Sequence, residues 1–120
     1  MNPYEASQKT ESLCRLAPVI PVLVVDDANI AQPLAEALIK GGLTVLEVTL
    51  RTPSALQVIS EMAKVQGGVV GAGTITKASD VTDAINAGAQ FGVSPGSTDD
   101  ILEAGEQKKL PILPGAATSS

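Results

Sequence analysis

The 120-residue sequence predicts an α/β fold built on a parallel sheet, and three observations predict it. Apolar runs begin near residues 19, 45, 69, 91 and 111, at spacings of 26, 24, 22 and 20, the length of one strand–helix unit with short loops. The stretches between them have helical periodicity and helix-capping residues. The first run, Val19 to Val25, is continuously apolar and rich in β-branched residues, as a strand covered on both faces is. Strands joined by right-handed helical crossovers run parallel.

The chain opens with a short helix, Tyr4 to Leu16, in which Ala6, Leu13, Cys14 and Leu16 form a loose apolar stripe, placing it as a lid on one end of the domain. Val19 to Val25 is the first strand, although Pro21 cannot donate to a ladder and belongs at a strand start or an edge. Asp26-Asp27 ends it and caps a helix from Ile30 to Lys40, packed through Leu34, Ala35, Leu38 and Ile39 and closed by Gly41-Gly42. The second strand is Val45 to Leu50. Thr52 as N-cap and Pro53 at the first helical position open a helix to about Val65, with Leu56, Ile59, Met62 and Ala63 inward. Val69 to Thr74 is the third strand, and a helix from about Lys77 to Ala87 starts at Thr76 and stops at Gly88. Phe91 to Ser94 is the fourth strand, ended by Pro95-Gly96; Ser97 or Thr98 then caps a helix with Asp99 and Asp100 in its first turn and Lys108-Lys109 at its far end. Pro111 to Leu113 is the fifth strand.

An open doubly wound sheet and a (β/α)8 barrel both accept this pattern. The barrel is favoured because polar, glycine and proline residues recur at every strand's C-terminal end: Asp26, Thr49 to Arg51, Gly73-Thr74, Ser94-Pro95-Gly96 and Pro114-Gly115. In a barrel these ends meet around one mouth, whereas an open sheet concentrates its site at a switch point. Five strands are then the first part of such a barrel, residues 1–17 a leading helix and 18–120 its βα units.

Composition narrows the chemistry. Thirteen acidic residues against eight basic give a net charge of −5, which argues against nucleic acid and anionic membrane as partners. Histidine is absent, which excludes Ser-His-Asp and Cys-His catalysis and every histidine-containing zinc site. The single cysteine, Cys14, offers neither an internal disulfide nor a metal cluster, and suits a reducing cytoplasm. No apolar run approaches the ~20 residues of a membrane span, and residues 1–17 lack the pattern of a signal peptide, so a cytoplasmic protein is expected.

The stretch Val45-Leu-Glu-Val-Thr-Leu-Arg51 stands out, because a period of two places Val45, Glu47, Thr49 and Arg51 on one face of a buried strand. An unpaired carboxylate in a protein interior costs roughly several kcal/mol, so Glu47 requires a reason. Two readings are open: a structural ion pair with Arg51, or a general acid/base beside an anion anchor at the strand's C-terminal end.

Pro18-Val-Ile-Pro-Val-Leu-Val24, Gly41-Gly-Leu-Thr-Val-Leu-Glu-Val-Thr-Leu-Arg-Thr52, Val70-Gly-Ala-Gly-Thr74, Ala87-Gly-Ala-Gln-Phe91, Val93-Ser-Pro-Gly96 and Pro111-Ile-Leu-Pro-Gly115 together resemble the 2-keto-3-deoxy-6-phosphogluconate aldolases, which also act on 4-hydroxy-2-oxoglutarate. The likeness is collinear from about residue 15 to 118. It implies a (β/α)8 barrel, commonly a homotrimer, and class I aldol cleavage without metal or cofactor. A lysine forms a Schiff base with the keto carbon of a small-molecule keto acid and drains electrons from the breaking bond. By residue, the resemblance makes Glu47 the acid/base and gives Arg51 and Thr74 the pyruvyl carboxylate. Ser94, Pro95 and Gly96 are candidate pocket lining through backbone donors, although Pro-Gly is equally well explained as a turn.

One departure is expected. The family's Schiff-base lysine lies on the sixth strand, and the 120 residues reach only a fifth. Lys9, Lys40, Lys64, Lys77, Lys108 and Lys109 all fall in the leader or at helix ends. The sequence therefore reads as the N-terminal half of an aldolase. A half-barrel without catalysis, pairing its open edges with another chain, is the alternative.

Overall fold

A computed structural model describes residues 1–118. Its elements are helix α1 (Pro3–Leu16), strand β1 (Val22–Leu23), a 3-10 turn (Ala28–Ile30), α2 (Ala31–Lys40), β2 (Val45–Thr49), α3 (Ala55–Ala63), β3 (Val69–Gly73), α4 (Ala78–Ala87), β4 (Phe91–Ser94), α5 (Asp99–Lys108) and β5 (Ile112–Pro114). All neighbouring strands pair in parallel, in the order β1-β2-β3-β4-β5. That order settles the choice of architecture. A doubly wound sheet reverses direction at a switch point and places helices on both faces, whereas here every strand is added beside its predecessor, as in a barrel wall.

The two faces of the sheet differ accordingly. Leu46, Val48, Val70 and Ala72 point toward helices α2 to α5 and share a core with Ala35, Val58, Ile59, Met62, Val81, Ala84, Ile101 and Leu110. On the helix-free face a smaller cluster joins Val45 and Phe91 to Ala17, with Leu13, Ile20, Val69 and Val93 packed around it. Val45, Val69 and Phe91 are strand-first residues, so this cluster closes the N-terminal end of the sheet, and α1 brings Leu13 and Ala17 across it. The expected lid is present, tied by an Asn2–Glu5 capping box at its start. It contributes no buried side chain of its own, and Cys14 and Leu16 are exposed rather than part of a buried stripe.

Several boundaries differ from expectation for local reasons. The first strand shrinks to Val22–Leu23. Pro21 offers only its carbonyl, which accepts from the Glu47 N–H at 3.0 Å, and pairing on one side leaves Val22 and Val24 61 and 60 % exposed. Thr52 does not cap α3: its hydroxyl donates to the Val25 carbonyl at 3.0 Å, tying the end of β2 to that of β1. The helix consequently starts at Ala55, and its inward stripe is Ala55, Val58, Ile59 and Met62, with Leu56 and Ala63 outside. Thr98, rather than Ser97, caps α5 by accepting from the Ile101 N–H.

Phe91 is fully buried and lies across β3 at Gly71, where a Cβ would come within 2.5 Å of the ring. Its truncation would open a cavity that neighbouring backbone cannot fill. Phe91→Ala is expected to cost about 3–5 kcal/mol in urea denaturation, whereas Tyr4→Ala, at a side chain 71 % exposed on α1, is expected to stay within about 0.5 kcal/mol.

Candidate active site

The helix-free face of β3 carries no side chain beyond Val69, because the two inward positions that follow are Gly71 and Gly73. Two side chains from the adjoining strands occupy the vacated space. The Phe91 ring of β4 takes the position over Gly71, and the Glu47 side chain of β2 takes the position over Gly73. A Cβ on Gly73 would collide with Glu47 Oε2 and lie 2.8 Å from Cδ. Glu47 is opposite Gly71 in the strand register, yet its carboxylate sits beside Gly73, one pleat nearer the C-terminal end. With the ring filling the space directly across, the carboxylate leans along the strand toward the open mouth.

Glu47 is 8 % exposed, and no protein hydrogen bond or ion pair reaches its carboxylate among the described residues. The ion-pair reading therefore fails in its strict form, since Arg51 lies beyond salt-bridge distance. Arg51 acts at longer range. Burial raises the Glu47 carboxyl above the 4.5 of an ordinary glutamate, and the positive charge of Arg51 pulls it part of the way back. A carboxyl moved toward neutrality and left uncommitted can take up and release a proton.

Arg51 lies two residues past the end of β2 and is exposed, with its guanidinium engaged in no ion pair or hydrogen bond among the described residues. Thr74 follows β3 and is half-buried; its hydroxyl is likewise uncommitted, and its backbone has φ 60°, the left-handed region that a β-branched residue rarely enters. The Glu47 carboxylate thus leans toward the C-terminal ends of two adjacent strands, which Arg51 and Thr74 follow, and all three residues have unused polar groups. A guanidinium fork and a hydroxyl suit a carboxylate ligand. Thr49, fully buried between Glu47 and Arg51, spends its hydroxyl on the Leu23 carbonyl at 3.3 Å and braces β2 against β1.

The remaining candidates divide. Alternation along β4 puts Phe91 and Val93 on the Glu47 face and Ser94 with Gly92 on the helix-packed face, where Ser94 Oγ is buried without a partner. Pro95 and Gly96 form the loop at the same end as Glu47. That loop is braced to the end of β5, where the Gly115 N–H donates to the Ser94 carbonyl and Ser97 Oγ donates to the Gly115 carbonyl, both at 2.8 Å. No lysine lies on a strand, and Lys77, in the loop after β3, is exposed. In the sequence Gly73 stands out only as a strand-end glycine and Phe91 only as the start of a strand. The signal was present as glycine at alternate positions of a strand, which marks a close approach by another group.

The chain is similar to known aldolases in sequence and in fold. An aldolase family model described as "KDPG and KHG aldolase" matches residues 10–120. A 2-dehydro-3-deoxy-phosphogluconate aldolase of Zymomonas mobilis is 52 % identical over 110 residues, covering 92 % of this chain and 53 % of the relative. A KHG/KDPG aldolase of Escherichia coli is 44 % identical over 111 residues, covering 92 % and 52 %. Among solved structures, the Zymomonas mobilis aldolase with 3-phosphoglycerate superposes with a TM-score of 0.90 at 51 % identity, over 93 % of this chain and 54 % of that one. The Legionella pneumophila KDPG aldolase, with pyruvate captured as a covalent carbinolamine, gives 0.84 at 42 % identity, over 89 % and 52 %. The chain spans about half the length of the relatives it matches. Among the described residues no helix is long and apolar enough to cross a membrane.

The raised proton affinity of Glu47 has a consequence for stability. The folded chain holds this proton more tightly than the unfolded one, so the group's contribution is fully present below the ordinary carboxyl range and is lost as pH rises through the raised folded value. Glu47→Gln keeps the shape and removes the charge. The variant is expected to be more stable than the wild type at about pH 7 in urea titrations, with the gap closing near about pH 4. An equal gap at both pH values would show that burial of charge is not what Glu47 costs the fold.

Proposed function

Because the chain belongs to the KDPG and KHG aldolase family, we propose that it supplies the acid/base and carboxylate-binding part of a class I aldolase. The substrate is 2-keto-3-deoxy-6-phosphogluconate, cleaved to pyruvate and glyceraldehyde 3-phosphate, with 4-hydroxy-2-oxoglutarate as a second substrate. The observation that carries the reading is the buried, uncommitted Glu47 carboxylate leaning toward the strand ends that bear Arg51 and Thr74.

The chemistry uses each group once or twice. A lysine amine adds to the keto carbon to give a carbinolamine, which loses water to an iminium. Glu47 delivers and removes the protons of these steps. In cleavage it takes the proton of the hydroxyl on the far carbon while the C–C bond breaks, its electrons pass into the iminium, an enamine forms and the aldehyde leaves. Protonation of the enamine and hydrolysis release pyruvate and restore the amine. Arg51 and Thr74 hold the carboxylate so that the keto carbon faces the amine. By its resemblance to the family the lysine is assigned to a sixth strand, and none of the five strands described here bears one. The captured carbinolamine of the Legionella relative supports an amine nucleophile in this family.

An assembly role has one observation in its favour, the exposure of Val22 and Val24 at the helix-free edge of β1. Parallel sheets are covered on both faces. The remaining strands of a closed barrel would cover this edge, so the aldolase reading accounts for it without a separate partner.

Borohydride reduction with pyruvate tests the nucleophile. In a chain carrying this segment into a complete barrel, the trapped adduct is expected at a lysine outside the 120 residues; an adduct at Lys9, Lys40, Lys64, Lys77, Lys108 or Lys109 would overturn the assignment. In the same protein, Glu47→Gln is expected to slow cleavage by at least ~100-fold, the usual contribution of a positioned acid/base. Unchanged turnover would leave the buried carboxylate without a catalytic role.

A further inference from the structure

We propose that Gly73 is a positioning residue for the reaction, because the absence of its side chain creates the seat in which the Glu47 carboxylate is held. The inference rests on the acid/base role proposed for Glu47 and extends it to a residue that touches neither substrate nor proton.

The geometry points to Gly73 specifically. The three nearest atoms that a Cβ there would meet all belong to one side chain, Glu47 Oε2, Cδ and Cγ, the last at 3.0 Å. At Gly71, one pleat below, the corresponding atoms belong to the Phe91 ring. Glycine at both positions is therefore required for different reasons: Gly71 admits a core ring and Gly73 admits the carboxylate. Backbone conformation does not explain Gly73, which is an ordinary strand residue with no positive φ. A methyl group at 73 would occupy the place of Oε2 and drive the carboxylate off β3, toward the open strand ends.

Charged neighbours do not compete with this effect. β1 opposes Glu47 with Val22 and Leu23, β3 with glycine and alanine, and β4 brings Phe91 and Val93 to the same face. Arg51 is the charge that reaches Glu47. Displacement changes the burial of the carboxylate while Arg51 and Thr74 remain on their strands.

The test is a set of variants in the active, full-length protein. Gly73→Ala is expected to lower kcat at least tenfold, since misplacement of a reacting group by about 1 Å can cost ~100-fold. KM for the keto acid is expected to change less than about threefold, and the acidic limb of the kcat profile to move to lower pH as the carboxyl becomes better solvated. Thermal unfolding supplies a readout that needs no activity. Gly73→Ala is expected to lower Tm by at least ~2 °C in the wild type and in Glu47→Gln, which keeps the shape of the side chain. It is expected to have no such effect in Glu47→Ala, which removes the atoms the methyl would strike. An equal Tm loss in all three backgrounds, or a Gly73→Ala enzyme with wild-type kcat and pH profile, would overturn the proposal. Failure of the acid/base reading itself appears separately, as unaltered turnover in Glu47→Gln with Gly73 intact.

Discussion

The packing of one carboxylate against a strand face bared by two glycines is the constraint on which the rest depends. Glu47 can be buried on β2 because β3 presents Gly71 and Gly73 to the same face. The space at the first is filled by an aromatic ring, which removes water from beneath, and the space at the second receives the carboxylate. Among the described residues no donor compensates, so desolvation remains the dominant effect on its proton affinity and Arg51 only moderates it. A salt bridge would have removed the same tension by fixing the ionised form. The fold leaves it in place.

This arrangement follows from the division of labour along a parallel strand. At the N-terminal ends, Val45, Val69 and Phe91 meet Ala17 and Leu13 in an apolar cluster beneath α1, where the sheet is sealed. At the C-terminal ends the same face turns polar within two pleats, from Val45 through Glu47 to Thr49 and Arg51. Because the strands add in sequence order without a reversal, successive C-terminal ends lie side by side, and residues 47, 51 and 74 become neighbours despite the helix between them. Topology, rather than any local motif, brings these positions to adjacent strands of one sheet.

Much of this was legible in the sequence, and the illegible parts have physical reasons. The repeat of strand and helix, the lid, and the face shared by Glu47 and Thr49 follow from period and punctuation alone. The extent of β1 did not, since an apolar run reports burial in a complete sheet and not the number of neighbours a strand has at an edge. Thr52 read as a helix cap because sequence reveals which residues can accept from a helix N-terminus, but not that a closer acceptor, the Val25 carbonyl, lies on the adjoining strand. The strand-end position of Ser94 suggests mouth lining through backbone donors, and only the parity of β4 reveals that its side chain belongs to the other face. The lean of Glu47 toward Gly73 depends on a ring arriving from residue 91, a contact that no local pattern contains.

Thr74 shows how the fold maintains a conformation that the residue itself disfavours. A left-handed backbone costs a non-glycine residue about 1–2 kcal/mol, and such strain persists where surrounding structure over-determines it. Both flanks of Thr74 are pinned: the Gly73 carbonyl accepts from the Leu50 N–H at 3.0 Å on the β2 side, and the Ile75 N–H donates to the Val93 carbonyl at 3.1 Å on the β4 side. Ile75 is in turn fully buried in the helix-facing core. Between two fixed ladder bonds and an anchored side chain, the chain must leave β3 within a single residue, and φ 60° at Thr74 is how it does so. Glycine would accomplish that turn at lower steric cost, but it would bring no hydroxyl to the end of β3.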